Sequence, residues 1–181
     1  MSNPNVGFYP TTQLNPYTTN IGSEGTFQSI MSYIYGASSY KALGTASATT
    51  SSTASTYTGI NIEFTPVNSQ NILINYNIFS GNNNAAANLV IGLYIDTNSP
   101  PARGSAPPGT ATEIDSGGLV TGAYRTQSLL MIGGEIYGGD NSGISYTINL
   151  NTKYYLTWYI YSQTAGSVAI FEMYGFSIQS I

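Results

Sequence analysis

Residues 71–79 read Asn-Ile-Leu-Ile-Asn-Tyr-Asn-Ile-Phe, and this stretch decides the fold class. Ile72, Ile74, Tyr76 and Ile78 alternate with residues that are mostly polar, so an extended chain would be apolar on one face and wet on the other. An α-helix would scatter the same side chains around its surface. The alternation therefore predicts a β-strand that is buried on one face.

The same period of two continues on both sides of this stretch. Residues 57–65 place Ile60, Ile62 and Phe64 on one face, and residues 88–96 are apolar enough for a strand buried on one or both faces. Further strands are predicted at 111–114, 119–125, 128–137, 144–150, 154–161 and 168–178, with one of the intervening turns at 116–118. Because no helical pattern separates the strands, we predict an all-β, antiparallel two-sheet β-sandwich, closed as a jelly roll.

The N-terminal part of the chain has a different composition. Residues 1–20 are rich in Pro, Asn, Thr and Tyr, which predicts an extended arm. We therefore divide the chain into an arm at 1–40 and a β-sandwich domain at 41–181. The apolar residues of 23–35 fall at helical spacing, which favours a short amphipathic helix, with an irregular apolar stretch as the alternative. Residues 45–56 are Ser, Thr and Ala alone, which fits either a flexible loop or polar edge strands.

The composition excludes several classes of function. Charged residues are only 7% of the chain, and the four basic residues, Lys41, Arg103, Arg125 and Lys153, are far apart in the sequence. Such a chain lacks the basic cluster that binds nucleic acid. It has no His and no Cys, so a catalytic triad, a Cys nucleophile and a thiolate metal site are ruled out. No apolar run approaches the ~20 residues that span a bilayer. We expect no enzymatic activity, no cofactor, no nucleic-acid partner and no membrane span.

Two features could still carry chemistry. Glu113 and Asp115 are the closest acidic pair with strand spacing, and a glycosidase needs two carboxylates that face each other across a sugar. The simpler interpretation, which we prefer, is two solvated carboxylates beside a Pro-rich loop.

Oxygen ligands for calcium occur at two other places, Asp140 with Asn141 and Asp96 with Asn98. Neither pair has the spacing of a calcium loop, and Asp and Asn are also common turn residues. We assign no catalytic and no metal site.

The aromatic residues are the remaining candidates for contacts, with sixteen Tyr and one Trp. Several crowd residues 154–161, where alternate rings point to opposite faces and cannot all be core. The Pro-rich residues 98–109 cannot pair as a strand and are expected to project as a contact loop. The residues expected at a subunit interface or recognition surface are Tyr155, Trp158, Tyr159, Tyr161, Tyr174, Phe176, Pro100, Pro101 and Arg103.

The end of the chain also carries a resemblance. Tyr154-Tyr155-Leu156-Thr157-Trp158-Tyr159, a short Gly turn and residues 168–178 with Tyr174-Gly175-Phe176 resemble the closing hairpin of viral tail-fibre, turret and capsid surface modules of bacteriophages or archaeal viruses. The style is similar to trimeric jelly rolls of the complement-globular-head and tumour-necrosis-factor type. The resemblance covers roughly residues 57–181 and includes no signature motif. It implies a homotrimeric virion surface protein that binds other virion proteins through its arm.

These observations together favour a non-enzymatic virion structural protein, a capsid, turret or tail-fibre subunit. Residues 1–5 lack the basic and apolar regions of a secretory signal, so we expect the extracellular virion surface to be reached by particle assembly. Host attachment through a surface glycan or protein is a compatible second role. The alternative is a secreted carbohydrate- or receptor-binding module, and a glycan hydrolase that uses the paired carboxylates is a weaker one.

Overall fold

The computed structural model describes residues 46–67, 69–80, 88–140, 143–165 and 167–181. Within them the chain forms nine β-strands and no helix, which confirms the predicted all-β class. The predicted arm at 1–40 and helix at 23–35 lie outside the described residues. The strands are β1 Ala46–Thr50, β2 Thr56–Phe64, β3 Ile72–Ser80, β4 Leu89–Asp96, β5 Thr112–Leu119, β6 Tyr124–Ile132, β7 Glu135–Tyr137, β8 Tyr154–Ser162 and β9 Ala169–Ser180.

The strands form two antiparallel sheets, as predicted for a sandwich. The five-stranded sheet has the order β1-β9-β3-β6-β7, and the four-stranded sheet has the order β2-β8-β4-β5. The pairs are nested along the chain: β4 pairs with β5, β3 with β6, β2 with β8, and β1 with β9. Further pairing of β3 with β9 and of β4 with β8 completes the sheets. With β7 set aside as a short addition, this nesting is the strand order of a jelly roll.

The core lies between the two sheets and follows from the period of two. The alternation of residues 71–79 predicts one buried face, and the structure buries Ile72, Ile74, Tyr76 and Ile78 of β3. Trp158 of β8 is fully buried at the centre, with its ring edge-on to that of Phe176, 5.2 Å between centroids. Large apolar rings from both sheets therefore fill the sandwich.

The prediction of a turn at 116–118 is wrong. β5 continues through these residues, and Gly117 pairs with Ile91 of β4. The chain turns later, between the end of β5 at Leu119 and the start of β6 at Tyr124, where Gly122 has a φ of 80°. The strand predicted at 119–125 is therefore also wrong, because most of it is this turn. Gly117 is small for a different reason, because a Cβ there would collide with the guanidinium of Arg125.

Two other predicted strands are also different in the structure. The single strand predicted at 128–137 is a hairpin of β6 and β7, since Gly133 and Gly134 have φ of 62° and 85° and form a two-residue turn. Residues 144–150 make only one bridge, between Ser145 and Glu135, and then leave the sheet edge so that Ile148 enters the core. Their alternation reflects burial against the sandwich without continuous pairing. Of the alternatives for residues 45–56, the structure has an edge strand, β1.

Candidate functional site

The outer face of the five-stranded sheet carries a shallow groove, which we call the sheet groove. It has a volume of about 340 Å³ and crosses β6, β3 and β9. Its lining residues are Asn75, Tyr76, Asn77, Thr126, Gln127, Ser128, Tyr174, Gly175, Phe176 and Ser177. The inward rings of Tyr76 and Phe176 are buried, so the outward side chains of their neighbours decide the chemistry of the groove.

The floor of the groove consists of two rows of small polar side chains. Ser128 is opposite Asn75 and donates to its Oδ1 over 2.7 Å, while Asn75 Nδ2 donates to Ser177 Oγ over 3.3 Å. In the next row Thr126 donates to Asn77 Oδ1. These cross-strand hydrogen bonds hold the amides in defined orientations. The floor is therefore preformed and uncharged.

A bulge in β9 creates the wall of the groove. Asn77 pairs with Gly175 and Ile78 with Met173, so Tyr174 is an extra residue with no partner of its own in the β3 register. A bulge re-aims its side chain away from the regular pleat. Tyr174 is 47% exposed, and its hydroxyl donates to Glu172 Oε2 over 2.6 Å. This hydrogen bond raises the pKa of Tyr174.

Three rings meet at this wall, and we call Phe79, Tyr124 and Tyr174 the aromatic wall. The Phe79 centroid is 4.6 Å from that of Tyr124 and 6.3 Å from that of Tyr174. Tyr124 is 71% exposed. Of these rings, sequence reasoning singled out Tyr174 alone. The alternation of 71–79 was a usable signal for Phe79, because it places this ring on the outer face with Asn75 and Asn77.

Three residues predicted at a contact surface lie inside the chain instead. Trp158 is 0% exposed, Phe176 4% and Tyr159 1%. Trp158 and Phe176 face the opposite sheet, and Tyr159 is buried on the outer side of the four-stranded sheet against the rings of Tyr57 and Tyr94, at 5.4 and 4.9 Å. These side chains are not accessible to a partner. Tyr155 and Tyr161 are half-buried on that same outer side.

The Pro-rich loop lies against the body of the protein instead of projecting freely. Gly104 N donates to Tyr57 O over 2.9 Å, and Tyr57 N donates to Ser105 O over 2.8 Å. The Arg103 side chain packs over Gly59, where β2 bulges. The loop begins at the end of β4 and reaches β2, and it therefore crosses β8, which lies between them in the sheet. Its backbone supplies hydrogen-bond partners to the edge of β2. Pro100 and Pro101 are half-buried, and Arg103 is exposed.

The two carboxylates of the hydrolase alternative are on opposite sides of the sheet. β5 is bulged where Leu93 pairs with Asp115 and Tyr94 with Glu113. Asp115 is fully buried between the sheets and accepts a hydrogen bond from Tyr76. Glu113 lies on the outer side beside Tyr94. One sugar cannot lie between these two groups, so strand spacing does not bring them together as a glycosidase needs. The preferred interpretation of two solvated carboxylates is also wrong for Asp115, which is fully buried.

Glu113 makes a prediction about pH possible. Burial raises its pKa above the ordinary value, although hydrogen bonds from Tyr94 and Ser116 oppose the shift. A raised carboxyl pKa contributes stability below about pH 4.5, and this stability is lost as the pH rises through the folded-state pKa. We expect Glu113→Gln to reduce the loss of stability between about pH 4 and pH 7. Thermal unfolding of the parent and the variant at both pH values measures this difference in stability.

The matched control for that prediction is Glu63→Gln, which removes one carboxyl whose side chain is 61% exposed. If both variants change the pH dependence of unfolding equally, burial of Glu113 is not the cause of that dependence.

A buried ion network around Asp115 was missed by sequence reasoning. Arg125 Nη2 lies 3.1 Å from Asp115 Oδ2 and donates to Ser116 O over 3.0 Å, and its Nη1 lies 2.8 Å from Asp140 Oδ2. Burial alone would lower the pKa of Arg125, but the hydrogen bond to Asp140 and the charge of Asp115 outweigh it and raise that pKa. Burial and the charge of Asp115 raise the pKa of Tyr76. The network joins β3, β5, β6 and the turn after β7.

Both calcium candidates have structural contacts of their own. Asp140 pairs with Arg125, and Asn141 lies outside the described residues. Asp96 Oδ1 accepts from the backbone and side chain of Asn98, and its Oδ2 accepts from Thr110 over 2.6 Å, so it ties both ends of the Pro-rich loop together. In the part of the chain that the structure describes, no three acidic side chains gather as metal ligands.

No protein-family model and no curated protein matches this sequence. One similar solved structure is that of a carbohydrate esterase from the Shiga toxin-encoding bacteriophage phi24B. It is 12% identical, and the match covers 78% of this chain and 89% of that one with a TM-score of 0.33. That TM-score is too low to extend the neighbour's activity to this chain. None of the described residues form a helix that could cross a membrane.

Proposed function

We propose that this chain is a non-catalytic structural subunit of a viral particle, which assembles as a symmetric homo-oligomer, most simply a trimer, on the particle surface. The observation that carries the proposal is the nested strand order of the two sheets. Jelly rolls of this kind are an architecture of viral capsid and lectin domains. The step from fold to role is an analogy, and the surface of the molecule adds to it.

The surface favours association because it has few charges to desolvate. Lys, Arg, Asp and Glu together make up 7% of the chain, against roughly 25% in an ordinary soluble domain. The centres of protein interfaces are depleted in charge and enriched in Tyr. Most of the polar surface here is hydroxyl and amide, which a second copy can cover at low cost.

The outer side of the four-stranded sheet is our candidate for the subunit interface. Tyr161 pairs with Val90, and Val90 pairs with Gly118, so this row of three residues is uncharged. Tyr155 is half-buried further along the same strand, with its hydroxyl 3.3 Å from that of Ser99. Residues 1–40 would anchor the oligomer to other virion proteins, as the sequence predicts.

Sedimentation of the full chain tests this proposal. We expect a species of three times the 19.2 kDa chain mass, and we expect Tyr161→Ser to weaken association by about tenfold or more. Tyr137→Ser is the control, because Tyr137 is 49% exposed on the other sheet. A strict monomer at every soluble concentration would contradict the proposal.

A further inference from the structure

We propose that the sheet groove and the aromatic wall beside it bind a neutral oligosaccharide. The stacking rings are Tyr174, which lines the groove, and Tyr124, whose centroid lies 6.2 Å from that of Tyr174. This inference goes beyond the proposed structural role and does not depend on it. The groove and the candidate subunit interface lie on opposite sheets, so one can fail without the other.

The aromatic wall is the first reason. Tyr124 and Tyr174 are 71% and 47% exposed, whereas other rings of the chain, such as Trp158, are buried in the core. An exposed Tyr combines a broad apolar face with a polar tip, which suits a ligand that is itself apolar on one face and polar at its edges. The rings of a sugar have this character, since their C–H groups line the faces and their hydroxyls point outward. Phe79 packs behind both Tyr rings and supports them, with centroids at 4.6 and 6.3 Å.

The floor is the second reason. Asn, Ser and Thr side chains can each donate and accept hydrogen bonds, as sugar hydroxyls do. The rows of Asn75 and Asn77 present such groups about 7 Å apart along the strand, at the spacing of alternate strand residues. Because the side chains are already held by their neighbours across the strands, little order is lost on binding.

Charge decides the class of ligand. None of the described residues that line the groove is charged, and the nearest carboxylate at the wall is Glu172. A phosphorylated, sulfated or uronic-acid ligand would find no cation there and would approach a negative group on a chain of net charge −4. A neutral sugar meets no such penalty.

Gly175 keeps the groove open. A Cβ built at this position would meet no atom within 4 Å, and the residue is not among those with positive φ. A larger residue would therefore fit the backbone, and β-branched or aromatic residues are favoured in strands. A glycine inside a strand often marks a place where a ligand approaches closely. Here its effect is to leave space beside Tyr174.

The size of the groove sets the length of ligand. It crosses three strands, about 10 Å at the usual strand spacing, and its volume is about 340 Å³. A groove of this size holds a short segment of the ligand, with the ends of a longer oligosaccharide left in solvent.

Calorimetric titration of the full chain tests the inference. The probes are neutral oligomers of glucose (α- and β-linked), mannose, galactose and N-acetylglucosamine, with polygalacturonate oligomers as the anionic arm. We expect at least one neutral oligomer to bind with a Kd that is roughly micromolar to millimolar. Gly175→Leu should abolish this binding by filling the groove, and Tyr174→Ala should weaken it by about tenfold or more.

Tyr137→Ala is the matched control for Tyr174→Ala. Both tyrosines are exposed, and each donates to the glutamate two residues earlier, Glu135 over 2.7 Å and Glu172 over 2.6 Å. We expect Tyr137→Ala to bind as the parent does. Unfolding curves exclude loss of structure, and Gly175→Leu has the least risk because its Cβ enters open space.

Four results would overturn the inference. They are the failure of every neutral oligomer to bind, binding of the anionic oligomers alone, binding that survives both Gly175→Leu and Tyr174→Ala, and a fall in oligomer mass caused by Gly175→Leu without ligand. The last result would show that a second copy of the chain occupies the groove.

Discussion

Replacement of Asp115 by Ala should lower the free energy of unfolding by about 3–5 kcal/mol. Asp115 is fully buried, and its two oxygens accept from Arg125, Tyr76 and the backbone N of Asp140. Removing the carboxylate leaves the guanidinium of Arg125 with only the 60%-exposed Asp140 as its counter-charge, and it leaves the Tyr76 hydroxyl without an acceptor. A largely buried cation that loses its buried partner costs more than the pair contributed, even where an exposed carboxylate remains within reach. Urea unfolding at one fixed protein concentration measures the change.

A double-mutant cycle separates the charge from the packing. Arg125→Met alone should be as damaging as Asp115→Ala, because it leaves the carboxylate buried without a cation. The double variant should lose clearly less than the sum of the two single losses. Additive losses would show that the two side chains do not form one network.

The exposed ion pair of Lys153 and Glu63 is the matched control for that cycle. Its atoms lie 3.3 Å apart, close to the distances in the buried network, but both side chains are more than half exposed. Water screens such a pair, so Lys153→Met should leave the unfolding curve unchanged. The contrast between the two ion pairs tests whether burial causes the large loss of stability expected for Asp115→Ala.

The alternation of 71–79 was enough to predict β3 and its buried face, because burial on one side of a strand leaves a period of two in the sequence. The turn was misplaced at Gly117 because a local pattern does not distinguish a glycine that bends the chain from one that makes room for a distant side chain. Arg125 needs this room, and it lies on a neighbouring element of the fold. A buried ion network forms only when the topology brings its members together. The isolated charged residues of the chain gave no sign that Asp115, Arg125 and Asp140 would meet.

The sheet groove was predictable only in part for a similar reason. Asn75 and Asn77 alternate with buried residues, so their outward direction follows from the sequence. The concavity depends on the bulge at Tyr174, which appears only when β9 is paired with β3. Tyr137 and Tyr174 have the same local pattern with a glutamate, yet only Tyr174 lines the groove.

Trp158→Ala is expected to be the most damaging single replacement in the hydrophobic core, with a loss of about 3–5 kcal/mol in the free energy of unfolding. Trp158 is fully buried and makes edge contacts with Tyr76 and Phe176 of the opposite sheet, at 6.4 and 5.2 Å between centroids. Its removal leaves a cavity between the two sheets, and the paired strands on both sides cannot move together far enough to fill it. Urea unfolding at one protein concentration is again the measurement.

Trp158→Phe should be milder than Trp158→Ala, because it keeps most of the ring and breaks no hydrogen bond. Trp158 Nε1 is buried and has no hydrogen-bond partner among the described residues. The control is Tyr124→Ala, which removes a ring that is 71% exposed and pairs across the strands with Phe79, and which should lower stability by about 1 kcal/mol or less.

Trp158→Ala also distinguishes a ring buried in the core of one chain from a ring buried between subunits. If Trp158 packs the core, Trp158→Ala lowers the free energy of unfolding and leaves the oligomer mass of the folded protein unchanged. If the ring packed between subunits instead, as the sequence predicts, the same variant would dissociate the oligomer while each folded chain kept its stability. Its full burial within one chain requires the first result. As the single Trp of the chain, it also reports this directly, since its fluorescence should stay that of a buried indole when the oligomer is diluted to monomers.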